Sequence, residues 1–200
     1  MSTSAIHRVI EQHSASVGDS VALVDGERSL TYRDLNQRAN ARARHLIDHG
    51  LRRGSLAVVK MERSLELAVT LLAVLKAGGA YTWLDRNEEG SWPAGLSIVL
   101  DEGRQEQRCL AVDIAADAPV HSAPNLPIVT RASDVACVLR GEHGLPAVLV
   151  PHEAITALKD RLVPAHAPWS DEPGALDLWL TLMAGSTAVV SADRIQCAAA

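Results

Sequence analysis

The sequence contains no phenylalanine, and aromatic residues make up only 3% of its 200 residues. A hydrophobic core must therefore be built mainly from valine, leucine, isoleucine and alanine, which fits a globular chain with 48% hydrophobic residues. The three cysteines, Cys109, Cys137 and Cys197, are odd in number and widely spaced. This pattern lacks the paired spacing of a zinc site and is typical of a reducing compartment.

Three further features are missing. The 19 lysines and arginines do not gather into a stripe and the formal net charge is −5, so we expect neither nucleic acid nor an anionic membrane as a partner. No apolar run reaches the roughly 18–20 residues that a membrane span needs. The opening MSTSAIHRVIEQHS has neither the basic segment nor the apolar segment of a secretory signal. These absences predict a cytoplasmic protein.

What the chain does contain is an alternation of amphipathic helices and apolar strands. Apolar residues at helical spacing predict a helix that begins near Ile6, and VALVDGERSLTY predicts a hairpin with Asp25 and Gly26 in its turn. A long helix follows, capped by Thr31 and ended by Gly50.

The remaining segments continue the alternation. SLAVVKM, AYTWL, DVACVL and AVLV predict strands, SLELAVTLLAVLKAGG and HEAITALKDRLV predict helices, and LDLWLTLMAGSTAVV predicts a helix, a turn and a strand. We therefore predict an α/β fold with a mostly parallel sheet and helices on both faces. We treat residues 1–200 as one domain, with a weak boundary within residues 164–174, where three prolines and a glycine occur.

The stretches LTYRDL (residues 30–35) and LKAGGAYTWLD (residues 75–85) are the most distinctive in the sequence. They resemble two signatures, L-T-Y-x-E-L and L-K-A-G-x-A-Y-V-P-L-D, of the amino-acid adenylation domains of nonribosomal peptide synthetases. LMAGSTAVV (residues 182–190) resembles a later L-L-A-G-A-T-L-V-V of the same family. The resemblance implies the N-terminal part of a domain that binds ATP and an amino acid, forms an aminoacyl adenylate and passes it to a carrier-protein thiol.

The family's phosphate-binding loop, T-S-G-S-T-G-x-P-K-G-V, corresponds here to residues within VLRGEHGLPAVLV. Gly144 and Pro146 keep the G-x-P frame, but the serines and threonines are absent and Ala147 stands at the lysine position. Glu142 adds a negative charge beside the phosphates, which costs on the order of 1–4 kcal/mol for charges about 4 Å apart. We therefore predict that this loop no longer binds ATP, and we expect no cofactor. The degenerate loop consists of Arg140, Gly141, Glu142, His143, Gly144, Leu145, Pro146 and Ala147.

Other family features are reduced or missing. RNEEGSWPAG leaves no room for the helix P-x-x-R-L-x-x-M-L-x-D-A-G that follows the second signature. The F-D-x-S-x-W segment, whose aspartate holds the substrate ammonium group in the family, is compressed to LDLW with Asp177. The N-x-Y-G-P-T-E segment, the ribose-binding aspartate and the catalytic lysine would all lie beyond Ala200. The resemblance thus implies a truncated, degenerate relative without catalytic residues.

Several residues have a functional interpretation and a plainer structural one. Glu142 and His143 could form an acid–base pair, but adjacent residues on a turn are usually solvated. The GST stretch at residues 185–187 could cradle a phosphate, but glycine commonly ends a helix in this position. His143 and His152 lack a third ligand for a metal, and Cys137 fits a buried strand.

Trp83 and Trp92 flank the region of the lost helix and are our candidates for an interaction site. They either cover the chain's own core or contact another protein. Our leading hypothesis is a catalytically inactive interaction or structural module whose partner is a nonribosomal peptide synthetase component, either a condensation-type domain or a carrier-linked tailoring enzyme, or a second copy of this chain. The alternatives are one half of a split adenylate-forming enzyme, and a remnant without an independent role.

Overall fold

The computed structural model describes residues 4–84, 98–101, 112–113, 123–127, 130–139, 147–158, 166–169 and 175–190. These residues alternate between helix and strand, as the sequence pattern predicts. The helices are α1 (Ile6–Ser16), α2 (Tyr32–Asp48), α3 (Leu65–Lys76), α4 (His152–Thr156) and α5 (Leu176–Met183). Within these described ranges, no helix is long and apolar enough to cross a membrane.

The strands form two sheets, both mostly parallel. The strands are β1 (Val21–Asp25), β2 (Arg28–Thr31), β3 (Leu56–Lys60), β4 (Ala80–Leu84), β5 (Ile98–Asp101), β6 (Val112–Asp113), β7 (Val135–Leu139), β8 (Val148–Pro151), β9 (His166–Pro168) and β10 (Thr187–Val189). One sheet has four strands in the order β2-β1-β10-β9, and the other has six in the order β6-β5-β3-β4-β7-β8. The β1–β2 and β7–β8 pairs are antiparallel, and the other described pairs are parallel.

The helix ends follow the local sequence closely. The hydroxyl oxygens of Thr31 and Ser64 cap α2 and α3, each accepting a hydrogen bond at 3.1 Å from the N–H three residues later. The helices α2, α3 and α5 are each followed by a glycine with positive φ, 98° at Gly50, 82° at Gly78 and 75° at Gly185. In all three, the N–H groups of the glycine and of the next residue return to carbonyls of the last turn. The predicted glycine stops are confirmed.

Helix α3 lies at the centre of the core. Residues 67–76 are all buried, which explains why this helix is apolar around its whole circumference. It packs against α2, against β4 of the six-stranded sheet and against β1 of the four-stranded sheet. Helix α3 therefore connects the two sheets, and its leucine, valine and alanine side chains supply the packing that phenylalanine provides in other cores.

A buried ion pair joins α1 to the end of α3. The ammonium group of Lys76 donates a hydrogen bond to the carboxylate of Glu11, and the two side chains are 0% and 5% exposed. Burial lowers the pKa of Lys76, and the neighbouring carboxylate of Glu11 opposes this shift. Arg8 reaches the other oxygen of Glu11 at 3.3 Å from a half-exposed position. Lys76 belongs to the LKAGG signature, so this part of the signature serves packing between helices.

The predicted α/β fold is confirmed, with two differences in detail. The strands are divided between two sheets, because β1 lies between β2 and β10 and does not pair with β3. Strand β9 has no counterpart in the sequence prediction; it lies within residues 164–174 and pairs in parallel with β10. The boundary proposed in that range stays a prediction. Most of residues 86–127, where we expect weak agreement with the family, lie outside the described residues.

We expect Glu11→Leu to lower the free energy of unfolding by about 3–5 kcal/mol, because it leaves the ammonium group of Lys76 buried without a carboxylate. The double variant Glu11→Leu/Lys76→Met should regain most of this loss, because neither charge then remains buried. Urea unfolding followed by circular dichroism measures both. As a control, Arg33→Ala removes the exposed Arg33–Asp19 pair and should cost less than about 1 kcal/mol. Additive losses in the double variant would contradict this account of the pair.

Candidate functional site

The segment that the sequence predicts to be a degenerate phosphate loop connects β7 to β8. Residues 140–146 lie outside the described residues, but the strands on either side are antiparallel and pair Leu139 with Val148. Ala147, which the sequence comparison predicts to stand at the position of the family's lysine, is exposed immediately before β8. The side chain at this point of the hairpin is thus an uncharged methyl group that faces solvent.

Strand β8 presents apolar side chains to solvent. Val148 is 55% exposed and Leu149 is 63% exposed. Successive side chains of a strand point to opposite faces of the sheet, so the described residues leave both faces open at the start of β8. This strand also ends the order of the six-stranded sheet. The sequence predicted a strand here, but not its exposure, because an apolar run reads the same in the centre of a sheet and at its edge.

Trp83 lies near the end of β4 in a cluster with Trp169 and Arg63. The Trp83 and Trp169 ring centroids are 5.7 Å apart, and the guanidinium carbon of Arg63 lies 5.9 Å from each. The indole N–H of Trp83 donates to the carbonyl of Met61 at 2.9 Å, and Arg63 donates to the carbonyl of Trp169. Trp83 is half-buried, and it makes these polar and stacking contacts within this chain. The second interaction candidate, Trp92, lies outside the described residues.

The tyrosine of the first signature anchors α5. Tyr32, the first residue of α2, is fully buried. Its hydroxyl group donates to the carbonyl oxygens of Leu182 and Ser186, which lie 2.9 Å and 2.8 Å away, and burial raises its pKa. Ser186 lies in the turn between α5 and β10, so the GST stretch forms a helix-ending turn, as the structural interpretation predicts.

The tyrosine of the second signature anchors the same helix, α5, to the six-stranded sheet. The hydroxyl oxygen of Tyr81, on β4, accepts a hydrogen bond at 2.6 Å from the indole N–H of Trp179 on α5. All three of Tyr81, Trp179 and neighbouring Cys137 are fully buried. Burial raises the pKa of the Cys137 thiol to about 12, which agrees with its prediction as a core residue. The protein's two tyrosines therefore hold one helix between two parts of the fold.

The remaining candidates show no convergence on a ligand. The carboxylate of Asp177 accepts the N–H of Leu178 at 2.9 Å in the first turn of α5. His152 is buried, and burial lowers its pKa to about 4. Among the residues that the structure describes, no group of three or more histidine, cysteine, aspartate or glutamate side chains could hold a metal ion. His143 lies outside them.

Comparison with known proteins gives the family. The family model described as AMP-binding enzyme matches residues 10–94. Bacitracin synthase 1 from Bacillus licheniformis is 34% identical over 160 residues, which is 74% of this chain and 3% of that protein. The chain belongs to the family of AMP-binding enzymes. It is related to the adenylation domains of nonribosomal peptide synthetases, and the recognition made from LTYRDL and LKAGGAYTWLD is confirmed.

Solved structures share the fold. The N-terminal subdomain of Klebsiella oxytoca NpsA matches with a TM-score of 0.80 at 23% identity, covering 96% of this chain and 56% of that chain. An artificially fused adenylation–PCP di-domain, NpsA-ThdA, from the same organism matches with a TM-score of 0.80 at 22% identity, covering 96% and 40%. The chain thus corresponds to roughly half of an N-terminal subdomain, and it spans a small part of the whole synthetases.

Replacing either tyrosine by phenylalanine should weaken the attachment of α5. We expect Tyr32→Phe and Tyr81→Phe each to lower the free energy of unfolding by about 1–3 kcal/mol, because each leaves buried polar partners without a hydrogen bond. Urea unfolding monitored by tryptophan fluorescence measures this loss. Ser16→Ala removes an exposed hydroxyl that donates to Gln12 at 2.9 Å and should change stability by less than about 0.5 kcal/mol. Equal effects of all three variants would argue against the anchoring role.

Proposed function

We propose that this chain is a catalytically inactive relative of an adenylation domain that acts as a structural or protein-interaction module in nonribosomal peptide biosynthesis. The observation that carries the proposal is Ala147, which stands exposed where the family pattern has its phosphate-binding lysine. A methyl group supplies no positive charge to balance a polyphosphate. The hydroxyl groups of the family loop are also absent from residues 140–147.

The use of the surviving signature residues supports a structural role. Tyr32 and Tyr81 are buried and hydrogen-bonded to α5 and to the turn after it, and Lys76 is paired with Glu11. None of these three side chains is available for a ligand, because each polar group is enclosed in the core. The motifs by which the family is recognised here thus maintain the fold, while the loop that would carry the chemistry has changed.

Exposed apolar residues support a role in binding another protein. Val148 and Leu149 lie uncovered by the described residues, and exposed apolar surface of this kind is common at protein contacts. With Trp83 and Trp92 they are the residues we propose for an interface. The partner that the family suggests is a nonribosomal peptide synthetase component, such as a condensation-type domain or a carrier-linked tailoring enzyme, or a second copy of this chain. A cytoplasmic location remains part of the proposal.

The proposal predicts very weak nucleotide binding. We expect isothermal titration calorimetry to give a Kd for ATP no tighter than about 1 mM, equivalent to about −4 kcal/mol, and we expect no amino-acid-dependent ATP–pyrophosphate exchange. The variant Ala147→Lys should not restore exchange, because the hydroxyl groups are still missing and Glu142 still opposes the phosphates. A complete adenylation domain serves as the positive control. Micromolar ATP binding would contradict the proposal and favour the split-enzyme alternative.

The interface is tested by substitutions in a pull-down from the native host, with partners identified by mass spectrometry. Leu149→Asp and Trp92→Ala should each weaken binding of the recovered partner by about 2 kcal/mol, roughly 30-fold, if these side chains are central to the contact. Val17→Asp alters an apolar residue that is 42% exposed on another part of the molecule, and it should bind as the unchanged protein does.

Trp83→Ala requires a stability measurement beside the binding measurement, because Trp83 also packs within its own chain.

Self-association is measured by analytical ultracentrifugation of the same variants. If Leu149→Asp and Trp92→Ala both retain full affinity for the partner and the same association state, the proposed interface is wrong.

A further inference from the structure

Two histidines form an unusual buried contact between α1 and α4. His7 and His152 are both fully buried, and their rings lie 5.7 Å apart at an angle of 83°. The Nδ1 atom of His152 accepts a hydrogen bond at 3.3 Å from the backbone N–H of Ile6, the first residue of α1. The remaining ring nitrogens, both of His7 and Nε2 of His152, have no hydrogen-bond partner within the described part of the chain.

This geometry requires a neutral His152 ring. An Nδ1 atom that accepts a hydrogen bond carries no proton, so His152 is neutral as long as the bond to Ile6 exists. Protonation at Nδ1 would turn the acceptor into a donor that faces another donor, and the bond would be lost. It would also place a charge in a site without solvent, which is strongly unfavourable.

The surrounding charges act mainly against protonation. Lys76 from α3 and Arg8 from α1 both lower the pKa of His7, after burial and the neighbouring His152 ring. Asp134, which precedes β7, acts in the opposite direction on His152, but burial outweighs it and its pKa falls to about 4. Glu11 on α1 is already paired with Lys76.

The other packed helices contribute little charge to this site. Helix α5, which packs against both α1 and α4, carries one charged residue, Asp177, and this residue accepts the N–H of Leu178. The positive charge of Arg44, on α2, lowers the pKa of Lys76 and so adds to the positive charge around this site. On α4 itself, Glu153 is exposed.

We propose that His7 and His152 form an acid-released latch that holds the N-terminal helix α1 against α4 and frees it when either ring is protonated. Release would uncover the buried side chains of Ile6 and Ile10 and separate Glu11 from Lys76, while the two sheets stay joined through α3. The latch rests on the contacts of α1 and is independent of the function proposed above.

The direction of the pH effect follows from proton linkage. Once α1 is released and the two rings are solvated, each histidine has an ordinary pKa of about 6.5. In the latched state burial holds the pKa of His152 at about 4 and that of His7 well below its usual range. Above about pH 6.5 both states bind the same number of protons, so the latch is at full strength. Below that pH the released state takes up protons first. For each proton taken up, the ratio of released to latched protein rises by up to tenfold per pH unit, and this continues down to about pH 4.

Hydrogen–deuterium exchange with mass spectrometry tests this on the full chain. Between pH 7 and pH 5, after correction for intrinsic exchange, amides of α1 should open at least tenfold more often, while amides of α3 should keep their protection. The double variant His7→Leu/His152→Asn should show no such change, because the asparagine carbonyl can still accept the Ile6 N–H and neither residue titrates. His49→Asn changes an exposed histidine at the end of α2 and should keep the acid response of the unchanged protein.

An NMR titration of the histidine ring signals covers the case in which the double variant does not fold. The latch predicts that the signals of His7 and His152 do not titrate near pH 6.5 while α1 remains protected. The proposal is overturned if either ring titrates near pH 6.5 with α1 still protected, if α1 and α3 lose protection together, or if a folded double variant keeps the acid response.

Discussion

The attachment of α5 to the rest of the molecule is the constraint on which the other features depend. This helix comes late in the chain, yet it contacts α1, α4 and the four-stranded sheet, and Tyr81 connects it to the six-stranded sheet. A core of aliphatic side chains packs well but does little to fix the orientation of a helix, because apolar contacts have no preferred direction. The hydroxyl groups of Tyr32 and Tyr81 supply that direction. With only two tyrosines in the chain, both are used to place one helix between the two sheets.

Helix α1 is held in place by buried charged and titratable side chains. This helix buries Glu11 against Lys76 and His7 against His152, so it is held by polar groups that have lost contact with water. A buried polar group is costly when its partner is lost or changes its protonation state. The attachment of α1 therefore depends on the pairing and protonation of these groups more than on the buried surface area. The ion pair between Arg42 of α2 and Glu66 of α3 is less deeply buried, with side chains that are 10% and 24% exposed. One helix can therefore respond to conditions under which the remainder of the fold is stable.

The sequence was sufficient to predict the local structure and the family. The glycines after α2, α3 and α5, the cap at Thr31, and the alternation of apolar segments are local signals, and the structure follows them. The division into two sheets and the pairing of β9 with β10 could not be predicted, because pairing is decided between residues far apart in the chain. For the same reason the exposure of Leu149 and the burial of Lys76 and His7 were not evident: helical and strand periodicity identifies an apolar face, but not a charged residue at 0% exposure.

Family recognition and activity depend on different kinds of residue, for a physical reason. A buried signature residue, such as Tyr32 or Tyr81, contributes to the free energy of folding. This contribution does not depend on whether a substrate is bound. A residue that faces solvent, such as Ala147, contributes little to folding, and only ligand binding would keep a lysine there. Recognition from buried motifs therefore establishes the fold, whereas the proposed loss of ATP binding rests on the residues between β7 and β8. Because Tyr32 and Tyr81 are buried and Ala147 is exposed, the fold can be recognised from residues that carry no information about ATP binding.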